Sequence, residues 1–198
     1  MNNNKSAQPT PVLKLTYAAL CLALAVVLPF LTGQIKTIGN MLSPMHFPVI
    51  ICGFLCGGPW GAVIGFTAPI LRSVLFGMPV LYPNALGMAF ELATYGFVSG
   101  LCYKLFPKKI PFIYLSLIVA MISGRLVWGV ARVIMAGLSG TEFPLSAFLA
   151  GAVTSAIPGI ILQIVLIPPI VMLLQKIQPK RTERVSNNNT EKKESKDK

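Results

Sequence analysis

The sequence predicts an all-α, multi-pass membrane protein: six transmembrane helices in one bundle, with both termini cytoplasmic. Three observations predict it. The 198 residues are 54% hydrophobic and only 12% charged, against roughly 25% charged in a typical soluble domain. The apolar residues gather in stretches close to the roughly 20 that a spanning helix needs. The basic residues other than Lys36, Arg72, Arg125 and Arg132 fall near the chain ends or around one short loop. The positive-inside rule assigns such regions to the cytoplasm.

Residues 1–11 form a polar N-terminal tail, and no small-residue cleavage site follows the first apolar stretch. The first helix is expected from Val12 to Leu31, followed by a polar connection, Thr32 to Pro44, that carries Lys36. The second segment, Met45 to Cys56, is short. Gly57, Gly58 and Pro59 then give a turn signal before a third segment, Trp60 to Phe76. Reading these as two helices joined by a tight turn keeps the number of spans even. After the loop Gly77 to Pro83 the fourth helix runs from Asn84 to Leu105, and the basic loop Phe106 to Pro111 follows. The fifth helix runs from Phe112 to Ala136, and a loop holding Glu142 ends at Pro144. The sixth segment, Leu145 to Ile177, is long for a straight span, and Pro158, Gly159, Pro168 and Pro169 are expected to bend or divide it. The bundle thus covers residues 12–177, and residues 178–198 form a basic tail expected to be disordered and cytoplasmic.

Arg72, Glu91, Arg125 and Arg132 lie inside these apolar stretches. A charge at membrane depth is costly unless it is paired or lines a polar cavity, so such residues mark a binding site or pathway. Counting from helix ends places Arg72, Glu91 and Arg132 in the same outer third of the bilayer. Arg125 lies on the same helix face as Arg132, about 10 Å deeper at 1.5 Å per residue, with Trp128 between them. Three cations against one anion favour an anionic ligand, because the planar guanidinium fork suits a carboxylate or phosphate. For Arg72 and Arg132 the rival is snorkelling to the surface. Glu91 reads as a counter-ion for Arg132 or Arg125, or as a direct ligand acceptor. His46, the sole histidine, reads as either a pocket or a packed residue. Met78, Tyr82 and Asn84 stand at the outer end, as ordinary turn formers or as residues closing over a ligand.

Other chemistry is missing from the sequence. There is no Ser/His/Asp set, metal-ligand cluster or phosphate-binding glycine loop, so neither an enzyme nor a bound cofactor or metal is expected. The basic charge at the ends does not argue for nucleic acid. Cys21, Cys52, Cys56 and Cys102 read as small buried residues, and none forms a CxxC motif. Small residues four apart recur at Ala19 and Ala23, Gly61 and Gly65, Gly96 and Gly100, and from Ala147 to Gly159. Such spacing lets helices approach closely in lipid.

The size, the six segments and the Ala19/Ala23 pair resemble the substrate-binding S component of an energy-coupling factor (ECF) vitamin transporter. So do the runs Ser43-Pro44-Met45-His46-Phe47-Pro48, Ala68-Pro69-Ile70-Leu71-Arg72-Ser73, Phe76-Gly77-Met78-Pro79 and Ala89-Phe90-Glu91-Leu92-Ala93-Thr94-Tyr95-Gly96. The resemblance covers residues 12–177. It implies a six-helix bundle in the cell membrane that binds a small vitamin at its outer face beneath the 1–2, 3–4 and 5–6 loops. It also implies a transmembrane coupling protein and two cytoplasmic ATPase subunits as partners, with the alanine pair facing the coupling protein. The charge count adds an anionic vitamin or precursor, with pantothenate preferred and folate open, and it disfavours cationic thiamine. The expected ligand residues are Arg125, Arg132, Trp128, Glu91, Arg72, Asn84, Tyr82 and His46. The alternatives are a structural or assembly protein whose charges lock helices together, and a stand-alone secondary carrier.

Overall fold

The computed structural model describes residues 11–32, 44–107, 109–140, 144 and 157–177. The tails, the first connection with Lys36, the loop with Glu142 and the first part of the sixth segment lie outside them. Among the described residues there is no strand, and six α-helices account for most of the chain: α1 (Pro11–Val27), α2 (His46–Cys56), α3 (Gly58–Phe76), α4 (Leu86–Leu105), α5 (Ile110–Leu138) and α6 (Ile157–Ile177). Five helical stretches are long and apolar enough to cross a membrane, and α2 is a shorter apolar helix. The protein is an all-α membrane protein.

The Gly-Gly-Pro signal marks a true reversal. Gly57 alone separates α2 from α3, with φ 98° and ψ 164°, a conformation that favours glycine. Pro59 then sits in the first turn of α3, where its missing N–H costs nothing. Gly53 and Gly61, each four residues from Gly57, both lie against Gly96 of α4. The two helices therefore run antiparallel, as a hairpin.

Glycine sets how closely this hairpin meets α4. A Cβ on Gly61 or Gly96 would collide with the other's backbone, one on Gly65 with the backbone of Leu92, and one on Gly100 with that of Gly58. The small-residue spacing at 61/65 and 96/100 is thus an internal seam of helix packing. The helix α2 is buried nearly all round, from His46 through Cys56. It is about 16 Å long and forms the centre on which α1, α3, α4 and α6 pack. The helix α5 buries Ile113, Leu117, Ala120, Met121 and Gly124, the three-and-four spacing of a single apolar stripe.

Several boundaries differ from the sequence expectation. The helix α1 tightens into a 3-10 turn at Leu28–Thr32, and α3 starts at Gly58 rather than Trp60. A kinked turn at Leu81–Ala85, with Tyr82 extended at φ −116° and ψ 133°, precedes α4. The helix α5 is longer at both ends than expected. Pro168 and Pro169 lie inside α6, which continues through them, so they do not divide it.

The antiparallel order gathers like with like. Lys14, Lys104 and Lys109 stand at the end of the bundle marked by the Gly57 turn. The starts of α2 and α4 and the ends of α1, α3 and α5 form the opposite end.

Candidate functional site

At that opposite end, three helical residues converge on one carboxylate. Glu91, on the second turn of α4, is 2% exposed. Its Oε1 accepts a hydrogen bond from Tyr95 Oη at 2.9 Å and lies 3.0 Å from Arg125 Nη1 of α5. His46 Nε2, at the start of α2, stands 3.6 Å from the same oxygen. Tyr95 reaches Glu91 because residues four apart share a helix face. Its ring has room because Gly124 faces it: a Cβ there would collide with the ring. The Tyr95 ring also lies 5.1 Å from that of His46. Glu91 is therefore the counter-ion of Arg125, one of the two partners open from sequence.

The charge is balanced, but hydrogen bonding is incomplete. Arg125 Nε and both ring nitrogens of His46 are buried and make no hydrogen bond. Buried polar groups are normally paired, and each exception needs a reason.

Nearer the bundle end, Arg132 Nη1 donates to Asn84 Oδ1 at 3.1 Å. Tyr82 Oη donates to the Met135 carbonyl at 2.6 Å and lies 2.6 Å from Ser139 Oγ. These contacts tie the segment before α4 to the last turns of α5. Gly87 gives the side chains of Trp128, Arg132 and Met135 space to pack across α4. Arg125, Trp128 and Arg132 thus line the α4-facing side of α5, as their spacing predicts.

Arg72 is held elsewhere. It is 4% exposed, so it does not snorkel. Its Nη1 donates to the Val26 carbonyl at 2.8 Å, and its guanidinium lies 4.9 Å from the Phe30 ring centroid and 5.8 Å from that of Phe76. It clips the end of α1 to the end of α3 through a carbonyl and two rings.

The buried charges, the glycine-seamed bundle and the central α2 now stand beside one comparison. Residues 13–171 match the family model of the ECF transporter substrate-specific component. The chain belongs to this family. It is the substrate-binding membrane subunit of an ECF transporter, working with a small-molecule substrate and the transporter's other components. No curated protein and no solved structure matches it.

In this S component, α1 buries Ala18, Cys21, Ala25 and Val26 and leaves Ala19 and Ala23 exposed. The alanine pair therefore faces away from the protein's own core. Met78 is half-buried in the loop after α3.

Sequence reading missed Tyr95 and Gln163. Tyr95 carried a usable signal, its position four residues after a buried acid. Gln163, 2% exposed on α6, has an Oε1 without a hydrogen-bond partner. Its signal was a lone amide in an apolar stretch.

Proposed function

We propose that this S component captures a small anionic vitamin or precursor, with pantothenate as the first candidate, at the bundle end that holds Glu91. The observation that carries this is a buried donor: Arg125 pairs with Glu91, the one acid among the described residues, yet its Nε is buried without a hydrogen bond. A ligand carboxylate supplies that acceptor in a site of low dielectric. Arg125 and Arg132 grip it, Trp128 packs against its apolar part, and His46, Tyr82 and Asn84 complete the wall. We assign Arg72 to holding the wall together, because its guanidinium is already occupied by Val26 and two rings.

The lysine-bearing end faces the cytoplasm on this reading, which places both chain termini there and opens the ligand site outward. Membership of the family implies ATP-driven import in the cell membrane with two cytoplasmic ATPase subunits and a transmembrane coupling protein, and the sequence carries no nucleotide-binding motif of its own. The exposed Ala19/Ala23 face is where the coupling protein packs, since small residues permit close helix approach in lipid.

Binding of a panel of water-soluble vitamins to the purified protein tests the proposal. Pantothenate or another carboxylate should bind and thiamine should not. Selective binding of a cationic vitamin would overturn it.

A further inference from the structure

Tyr95 does more in the Glu91 cluster than fill space. Its Oη and Arg125 Nη1 meet the same carboxylate oxygen, at 2.9 Å and 3.0 Å. Three helices hold the ring that carries this hydroxyl. It belongs to α4 and is 1% exposed. It stands 5.1 Å from the His46 ring of α2, and its Cε1 and Cδ1 lie against Gly124 of α5, where a Cβ would collide with them. Gly124 is also the residue before Arg125, so the contact that seats the ring adjoins the backbone that carries the guanidinium.

A carboxylate and a guanidinium pair most strongly as a fork, with two parallel N–H···O bonds. Here no such bond forms through Nε, because Arg125 Nε is buried without a hydrogen bond. Glu91 and Tyr95 are four apart on α4, where side chains share a helix face. The hydroxyl therefore pins Oε1 from the carboxylate's own helix. The pinned carboxylate meets Nη1 and leaves the Nε edge of Arg125 open. That edge is the donor assigned above to the ligand.

We propose that Tyr95 is a positioning residue for anion capture: by holding Glu91 Oε1 on α4, it keeps the carboxylate from turning onto the Nε edge of Arg125 and closing the fork against the ligand. This rests on the reading of Arg125 as the ligand's grip and adds the residue that keeps the grip available. Tyr95 acts through Glu91 and not by touching the ligand. A ring that served packing alone would behave differently, since its loss would lower stability and weaken every ligand alike.

Calorimetry and thermal unfolding of the full-length protein separate the two. The probes are pantothenate and its counterpart with a carboxamide in place of the carboxylate, or the same pair made from whichever carboxylate of the vitamin panel binds. The wild type should prefer the carboxylate. Tyr95→Phe keeps the ring and removes only the hydroxyl. It should bind the carboxylate about tenfold or more weakly, bind the carboxamide as the wild type does, and melt close to the wild type, because Glu91 gains from Arg125 what it loses from Tyr95. In a Glu91→Gln background the same change should leave the carboxylate preference unaltered, since no charge remains to turn onto Arg125. Gly124→Ala displaces the ring with its hydroxyl in place and should lower the preference as well. A carboxylate preference that survives Tyr95→Phe, or Gly124→Ala if Tyr95→Phe does not fold, would overturn this inference and leave the anion site standing. So would a fall in both affinities together with the melting temperature. A wild-type protein that binds the carboxamide as well as the carboxylate, or a cation in place of both, would overturn the anion reading itself.

Discussion

On the proposed reading, replacing Arg125 by Met removes two things at once: a donor to the ligand and the counter-ion of Glu91, which is 2% exposed. Breaking one side of a buried pair costs about 3–5 kcal/mol, because the remaining charge is stranded. The single variant should therefore lose both thermal stability and binding. Adding Glu91→Gln removes the stranded charge and keeps an acceptor for Tyr95. We expect the double variant to regain most of the stability and little of the affinity, as read by thermal unfolding in detergent and by calorimetry. A double variant with wild-type affinity would show that the charges only lock helices. Arg132→Met should weaken binding by about 2 kcal/mol, as for loss of a charge-assisted partner, with Lys rescuing only partly. Arg72→Met should leave affinity less affected and lower stability instead, since its partners are a carbonyl and two rings. The four charged positions were legible in the sequence because lipid makes any charge conspicuous. Their partners were not, because a pairing needs the register of one helix against another.

That register failed at the level of elements for a physical reason. Counting from expected ends put Glu91 level with Arg132, yet Glu91 meets Arg125 and Arg132 meets Asn84. The 29 residues of α5 span about 43 Å, well beyond the roughly 30 Å of a bilayer core. Its last turns stand opposite the residues preceding α4, as the bonds from Tyr82 to the Met135 carbonyl and Ser139 demonstrate. Helix ends are thus a poor ruler of depth when neighbouring helices differ in length. The turn at Gly57, by contrast, was legible, because glycine and proline act locally. The same locality makes the α3–α4 seam testable. Gly96→Leu should sharply reduce folded protein, since any Cβ at this position meets the backbone of Gly61. Gly137→Ala should be neutral or stabilise by up to about 1 kcal/mol, because a Cβ there meets nothing within 4 Å and alanine is the better helix former. Similar expression and melting of the two variants would mean that the seam tolerates separation.

For the whole molecule, the proposed reading separates capture from coupling. The Glu91 cluster occupies α2, α4 and α5, whereas Ala19 and Ala23 are exposed on α1. The helix α1 is nevertheless fastened at both ends, by Cys56 Sγ donating to the Lys14 carbonyl at 3.4 Å and by Arg72 on Val26. It should present its outer face with or without ligand. Ala19→Trp or Ala23→Trp places a bulky ring where the proposal has a partner helix approach closely, without touching the Glu91 cluster. We expect such variants to bind the ligand nearly as the wild type does, yet to fail in uptake when combined with the coupling protein and ATPases. The wild-type subunit alone, reconstituted in vesicles, should bind but not concentrate its ligand, since its sequence carries no nucleotide-binding motif. Accumulation against a gradient by the lone subunit would instead identify a secondary carrier. Loss of binding in a properly assembled Ala19→Trp complex would show that α1 supports the ligand site rather than the partner, and the division between the two faces would fall.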